Sequence, residues 1–321
     1  MKFEELVAFF KAHPSYIRAG ISTLPLKLRS VLQSDVKKAR AEARKQFKEE
    51  GQYYHNGKVG RTILITEPKK KVLLFDLETA PMRAYVWGRW HQDIHLENTI
   101  SEGFIICWSA KWLFNDDIMS DCLTPEEILL EDDSRIVSTL WELFDEADII
   151  IAHNGAKFDI PLATGRFVIH GLMPPSPYFS VDTLQTAKRV FRFSSNKLDA
   201  LAGYFGIPCK LDTSFDLWKQ CMEGSQDALD YMVDYNKHDV DMLESVYLIL
   251  RPYIRNHPNI ANLLETDCCG KCGCDNLELI PDKFYYTQVS RFPLFRCQNC
   301  GAIVRGRVTQ GEKVNFINFS R

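Results

Sequence analysis

Apolar residues arrive along this chain in two rhythms. Short, nearly unbroken runs predict buried strands: VLLFDL at 72–77, FIICWSAKW at 104–112, DIIIAHN at 148–154 and FSVDT at 179–183. Elsewhere apolar positions recur every three to four residues and predict helices. These stretches are SRIVSTLWELFDEA (134–147), IPLATGRFVIHG (160–171), LQTAKRVF (184–191), LDALAGYFGI (198–207) and ALDYM through RPYI (228–254). The sequence HPNI marks the end of the last one, through Pro258. Strands and helices mixed in this order indicate an α/β fold. Residues 3–12 predict an amphipathic helix ended by Pro14, and 22–29 a second short one. Ser34 is a suitable N-cap for a highly charged helix, SDVKKARAEARKQFKEE, over 34–50. Residues 51–71 read as a linker with one strand, RTILIT, ending in EPKKK.

Charge changes this picture at the two ends. The net charge is −3 over 321 residues, yet residues 1–71 carry 16 Lys and Arg against 7 Asp and Glu. Residues 268–321 carry 8 against 4, so the middle is strongly acidic. Basic ends attract a polyanion, and an acidic centre repels one unless cations neutralise it. The three N-terminal helices, the third basic, fit a helix-turn-helix module on DNA; they equally fit a generic helical dock with a solvated face. The N-terminus is too charged for a secretory signal and no apolar run reaches membrane-spanning length, so an intracellular, cytoplasmic protein is expected.

Three stretches share one chemistry. FDLET (75–79) ends a strand, HNGAKFD (153–159) follows another, and YNKHD (235–239) lies on the last long helix. On a strand, Asp76 and Glu78 point the same way while Leu77 points into the opposite layer. Asp159 opens a helix. Tyr235 and Asp239 are four apart and share a helix face. Each has a bland reading: a strand end, a helix N-terminal acid, a surface pair. Their joint presence in one domain favours a cage of carboxylate oxygens suited to Mg²⁺ or Mn²⁺. Two such ions clamp the attacking and leaving oxygens of a phosphodiester.

These motifs resemble those of the DEDD (DnaQ-like) superfamily of 3′–5′ exonucleases, which have an RNase H-like fold. FDLET is similar to the first motif, Asn154 to Asp159 to the second, and Tyr235 to Asp239 to the third. Tyrosine four residues before the last aspartate, with Asp234 where the other branch has histidine, resembles the tyrosine branch (DEDDy). ETAPMRAYVWG, SAKWL, PPSPYFSVDTL, FSSNKLDAL and RPYIRNHPN look like phage-encoded exonuclease-like proteins related to the proofreading part of B-family DNA polymerases. The resemblance implies an RNase H-like mixed sheet flanked by helices over 72–260. It also implies a two-metal site of Asp76, Glu78, Asp159 and Asp239, with 5′-mononucleotides released from a 3′ end. A tyrosine has a reference pKa of about 10, so Tyr235 is expected to orient water rather than act as base. Cytoplasm of a bacterial host and partners among replication or recombination proteins would follow from a phage origin.

Other residues divide between roles. Asn154 and Lys197 are candidate nucleic-acid contacts, though Lys197 also fits a plain surface lysine. Asp182 and Thr183 support the site or, more simply, cap a helix. His153 reads as a core histidine. Trp87, Trp90, Trp108 and Trp112 suit base stacking, but such aromatics are more often core.

Six of the ten cysteines fall between 268 and 300. Cys269-x-x-Cys272-Gly and Cys297-x-x-Cys300-Gly form two knuckles that suit one structural Zn²⁺. Cys268 and Cys274 leave the ligand register open. KFYYTQV and RFPLFR read as strands of a zinc ribbon over 266–321. Arg291, Arg296, Arg305 and Arg307 beside Tyr285, Tyr286, Phe292 and Phe295 suit a nucleic acid strand, with a stability or protein-docking module as the alternative. The favoured reading is a 3′–5′ exonuclease on single-stranded or frayed DNA. An RNA exonuclease on the same fold is one alternative, and a non-catalytic DNA-binding protein using the end modules is another.

Overall fold

The computed structural model describes residues 3–12, 38–39, 42–43, 46, 52–55, 58–61, 70–208, 211 and 213–311. Helix α1 spans Phe3–Ala12; β1 (Gln52–His55), β2 (Lys58–Arg61), β3 (Val72–Thr79), β4 (Arg83–Ala84), β5 (Thr99–Ser101), β6 (Ile105–Trp112) and β7 (Met119–Cys122) follow. Next come α2 (Pro125–Leu130), α3 (Ser134–Glu146), β8 (Ile149–Ala152), α4 (Asp159–Ile169), β9 (Phe179–Asp182), α5 (Thr183–Val190), α6 (Leu198–Tyr204), α7 (Phe215–Met222) and α8 (Gln226–Leu250). Helix α9 (Ile260–Leu264) precedes β10 (Leu277–Tyr286), β11 (Arg291–Cys297) and β12 (Ile303–Arg305). The helix expected at 22–29 lies outside the described residues, as do most of 34–50 and RTILIT beyond Arg61.

The chain divides into two compact units. One comprises Lys70–Phe205 with Cys209–Leu248, the other Met1–Lys69, Gly206–Pro208 and Ile249–Arg321. The first is built on a five-stranded sheet of order β7-β6-β3-β8-β9. Strand β3 is central, antiparallel to β6 and parallel to β8, and β8 is parallel to β9. Strands β3, β6 and β8 read as near-continuous apolar runs because the sheet is covered on both faces. Helix α3 buries Ile136, Val137, Leu140 and Phe144. The Phe144 ring meets Phe75, Phe167 and Tyr178 edge-on, with centroids 4.9, 5.4 and 5.6 Å away. Each of the three fully buried phenylalanines contributes about 1.5–3 kcal/mol. Just before α3, the fully buried Asp133 accepts from Ile105 N at 2.9 Å, Arg166 Nε at 2.8 Å and His170 Nε2 at 2.6 Å. A buried carboxylate persists only when paired in this way. The cluster ties β6 and the start of α3 to α4.

Four expectations needed correction or addition. The last long helix stops at Leu250 and gives way to a 3₁₀ turn, Arg251–Tyr253, instead of running through RPYI to 254. Pro252 supplies no N–H to continue it. Strands β1 and β2 pair antiparallel within the stretch read as a linker, with Gln52 opposite Arg61 and His55 opposite Lys58. Helix α2 is opened by a capping box between Thr124 and Glu127, spelled by Thr-x-x-Glu. Strand β7 pairs with β6 although MSDC has no strand-like apolar run.

In the second unit, α1 buries Leu6, Val7 and Phe10. Strands β10, β11 and β12 form an antiparallel sheet of three strands.

Candidate functional site

Alternation along β3 sends Leu73, Phe75 and Leu77 into the core under α3 and turns Asp76 and Glu78 to the other face. Their cross-strand neighbours on β6 are Ser109 and Cys107. Helix α8 supplies the third carboxylate: oxygens of Asp76, Glu78 and Asp239 lie within 4.8 Å of one another. Three anions this close oppose one another. The Asp76 carboxyl is held well above its ordinary range, by burial first and then by Asp159, Glu78 and Asp239. Asn236 Nδ2 works the other way, donating to Asp76 Oδ2 at 2.8 Å. Asn236 is wholly buried. Sequence reading passed it over, although it sits three residues before Asp239 on the same helix.

Asp159 is the first residue of α4 and is buried. It stands outside the group of three, yet its charge acts on Asp76. Strand β8 parts from β3 after Leu74, so the Leu77 N–H is available to Asp159. Burial pushes the Asp159 carboxyl up to about 6, against hydrogen bonds from its own and the Leu77 backbone. The turn leading to it is tight. Asn154 has φ of 73°, and its carbonyl accepts from Lys157 N and Phe158 N at 3.0 and 3.1 Å. A Cβ on Gly155 would lie 2.3 Å from that of Ala152, so the turn requires glycine there.

Asp182 caps a helix and grips the turn after β8. Its side chain caps α5 through Gln185 N and accepts from Asn154 N at 3.2 Å and Ala156 N at 3.3 Å. His153 bridges Thr183 Oγ1 at 2.8 Å and the Asn196 carbonyl at 3.0 Å, and burial lowers its pKa. It is a structural histidine that pins the loop before Lys197. Lys197 itself is exposed at the start of α6.

Tyr235 is buried, edge-on to Trp218. Burial, then Asp239 and Glu78, drive its hydroxyl well above the ordinary tyrosine value, with a hydrogen bond to Thr213 in opposition. The tryptophans split. Trp108 is buried, its indole N–H bonded to the Ile136 carbonyl at 2.8 Å, and Trp112 packs against the core. Trp87 is 100% exposed and Trp90 80%, so the core expectation fails for both. They fall on the irregular excursion between β4 and β5, outside the helices that cover the sheet.

A second residue missed by sequence reading is Lys111, which hides in an apolar strand. It faces the same way as Leu74, hence as Asp76. Its Nζ lies 2.8 Å from Glu244 Oε2 and 3.3 Å from Asp241 Oδ1, and Glu244 Oε1 accepts from Phe114 N at 2.9 Å. Burial works to lower the Lys111 pKa, but Glu244 and Asp241 raise it on balance. This buried ion pair fastens α8, and with it Asp239 and Tyr235, to β6.

The ribbon unit holds the other cluster. The Sγ atoms of Cys269, Cys272, Cys297 and Cys300 lie within 4.8 Å of one another, with 3.7 Å from Cys269 to Cys300 and 3.6 Å from Cys272 to Cys297. A tetrahedron of zinc–sulfur bonds has edges of about 3.8 Å, so the four thiols fit one Zn²⁺. Gly273 and Gly301, at φ of 77° and 79°, donate to the Cys269 and Cys297 carbonyls and close matching knuckles. Cys268 and Cys274 are buried outside the set. The arrangement fits a zinc ribbon. Arg296, Arg305 and Arg307 are exposed on this unit.

Residues 123–251 match the family model of the RNase_H superfamily. The mixed sheet flanked by helices is RNase H-like in fold. It is 28% identical over 142 residues to a DNA polymerase III of PolC type from Ureaplasma parvum serovar 3, across 42% of this chain and 8% of that protein. A solved family B DNA polymerase from the hyperthermophilic archaeon Pyrobaculum calidifontis is similar at 15% identity and a TM-score of 0.43, over 58% of this chain and 26% of that one. No helix among the described residues is long and apolar enough to cross a membrane.

Proposed function

We propose that the chain is a metal-dependent 3′–5′ exonuclease of the tyrosine-type DEDD class, acting on single-stranded or frayed DNA. The observation that carries this reading is the convergence of Asp76 and Glu78 from β3 with Asp239 from α8, with Asp159 acting on Asp76 and Tyr235 one turn away on α8. The donor set is all oxygen and suits hard cations, and the Asp76 carboxyl, raised by burial and then by its acidic neighbours, marks a charge cost that a cation would relieve. Asp76, Glu78, Asp239 and Asp159 would hold two Mg²⁺ or Mn²⁺ ions. Such ions supply Lewis-acid charge at a phosphodiester and acidify water near neutral pH. The chain's own groups do the rest. Asn236 orients the Asp76 carboxylate. Tyr235, kept protonated by its surroundings, donates or accepts a hydrogen bond to position the attacking water and does not abstract a proton. Asn154 and Lys197 would contact the strand. Cys269, Cys272, Cys297 and Cys300 would hold a Zn²⁺ with no open coordination position, a structural role.

The test is purified protein with 5′-labelled single-stranded DNA and Mg²⁺ or Mn²⁺, beside Asp76→Ala/Glu78→Ala. A ladder shortening from the 3′ end, absent in the double variant, is expected. Tyr235→Phe should bind DNA as before and cleave of order 10²-fold more slowly, through a misplaced nucleophile. DNA that is bound but left intact by the wild type would sink the reading. Ribose in place of deoxyribose at the 3′ end decides between RNA and DNA as substrate.

A further inference from the structure

We infer that one face of the ribbon sheet is a stacking platform for single-stranded nucleic acid. Register divides the sheet into two faces. Cys297 pairs with Leu277 and Phe295 with Val304, and Leu277 and Val304 pack against the cysteine cluster. That face looks inward to the zinc site. The other carries Tyr285 opposite Phe292, Leu294 opposite Arg305, and Arg296 between Glu278 and Ile303. Phe295, Arg291 and Tyr286, grouped with these by sequence alone, lie on the cysteine-side face, where Tyr286 and Arg291 are exposed at the end remote from the cysteines and Arg291 lies 4.8 Å over the Phe284 ring.

The outward face pairs charge with rings. The Arg305 guanidinium lies 4.5 Å from the Phe292 ring centroid and 5.0 Å from that of Tyr285, which is 49% exposed. Cation–π contact holds the guanidinium over the rings without neutralising it. Neither Arg296 nor Arg305 forms an ion pair among the described residues; Arg296 donates to the Gly301 carbonyl at 3.4 Å, and Glu278, opposite Arg296, accepts from Gln298 Nε2 at 2.8 Å. Exposed, unneutralised arginines beside an open tyrosine complement phosphates alternating with bases. A duplex would shield its bases from the ring, which commits the face to a single strand. This surface stands apart from the hydrolytic reading and does not require it.

Anisotropy of a labelled oligothymidylate, measured with the zinc-loaded Asp76→Ala/Glu78→Ala chain, excludes cleavage from the signal. Arg296→Gln/Arg305→Gln on that background should weaken binding about tenfold or more. It should also flatten the log–log salt dependence by about 1.4, two contacts at about 0.7 each. Tyr285→Ala should weaken the oligothymidylate but not an abasic strand of equal length, and Tyr285→Phe should restore it. Zinc content and near-ultraviolet dichroism confirm that each variant keeps its fold. Unchanged affinity and salt slope in the folded arginine variant would overturn the platform, and so would equal loss on base-bearing and abasic strands. If wild-type protein leaves DNA intact while these shifts appear, the exonuclease reading falls and the platform stands.

Discussion

Asp159 shows how one side chain can oppose the stability of its own domain. Its carboxyl rises from 3.8 to about 6 because the fold buries it, with Asp182 nearby adding to the rise. The folded state then holds a proton that the unfolded chain has released, so stability falls as pH rises between about 4 and 6. The penalty, up to about 3 kcal/mol, is fully present at neutral pH. In protein free of Mg²⁺ and Mn²⁺, Tm should therefore be higher at pH 5 than at pH 7. Asp159→Asn should remove much of that slope, and adding Mg²⁺ at pH 7 should raise Tm in wild type. An identical pH slope in wild type and Asp159→Asn counts against the assignment. Tyr235 and Asp76 feel the same crowding, which makes the site unstable as a set of anions and receptive to cations.

At the scale of elements, the site depends on how α8 is registered against β6. Lys111 and Glu244, 3% and 8% exposed, form the fastening. Removing one partner leaves a buried charge, so Lys111→Met alone should cost about 3–5 kcal/mol by chemical denaturation. Lys111→Met/Glu244→Leu should recover most of that loss. Additive losses in the double variant would show that the two residues do not act as a pair. The carboxylate motifs were legible one by one, because alternation on β3 and four-residue spacing on α8 are local rules. Lys111 and Asn236 were not legible. A lysine in an apolar run and an asparagine beside a tyrosine gain meaning only from partners 133 and 160 residues away. The tryptophans near β4 were misjudged for a related reason: apolar character signals burial only where another layer covers it.

At the scale of the whole molecule, two compact units rest on different physics. The unit from Lys70 to Leu248 is held by a large apolar core around its sheet. The ribbon has a small one, the four thiols with Cys274, Ala302, Leu277 and Val304. A core so small needs its metal. Removing zinc with a chelator should open 268–311 to protease while leaving a resistant fragment close to 70–248, read by mass spectrometry. Resistance of the ribbon without zinc would show that its apolar contacts suffice.

Sequence alone determined the α/β class, the three acidic motifs, the tyrosine and the paired cysteine knuckles. Each is written in local periodicity or in the spacing of chemically distinctive residues. Tertiary structure decided the rest. It selected Cys269, Cys272, Cys297 and Cys300 over Cys268 and Cys274, because knuckle geometry and not spacing aims a thiol. It divided the ribbon arginines between two faces, because strand register sets which side chains are neighbours. It also supplied Asn236, Lys111 and the Asp182 grip on the Asn154 turn, since contacts between distant residues leave no local pattern in a chain.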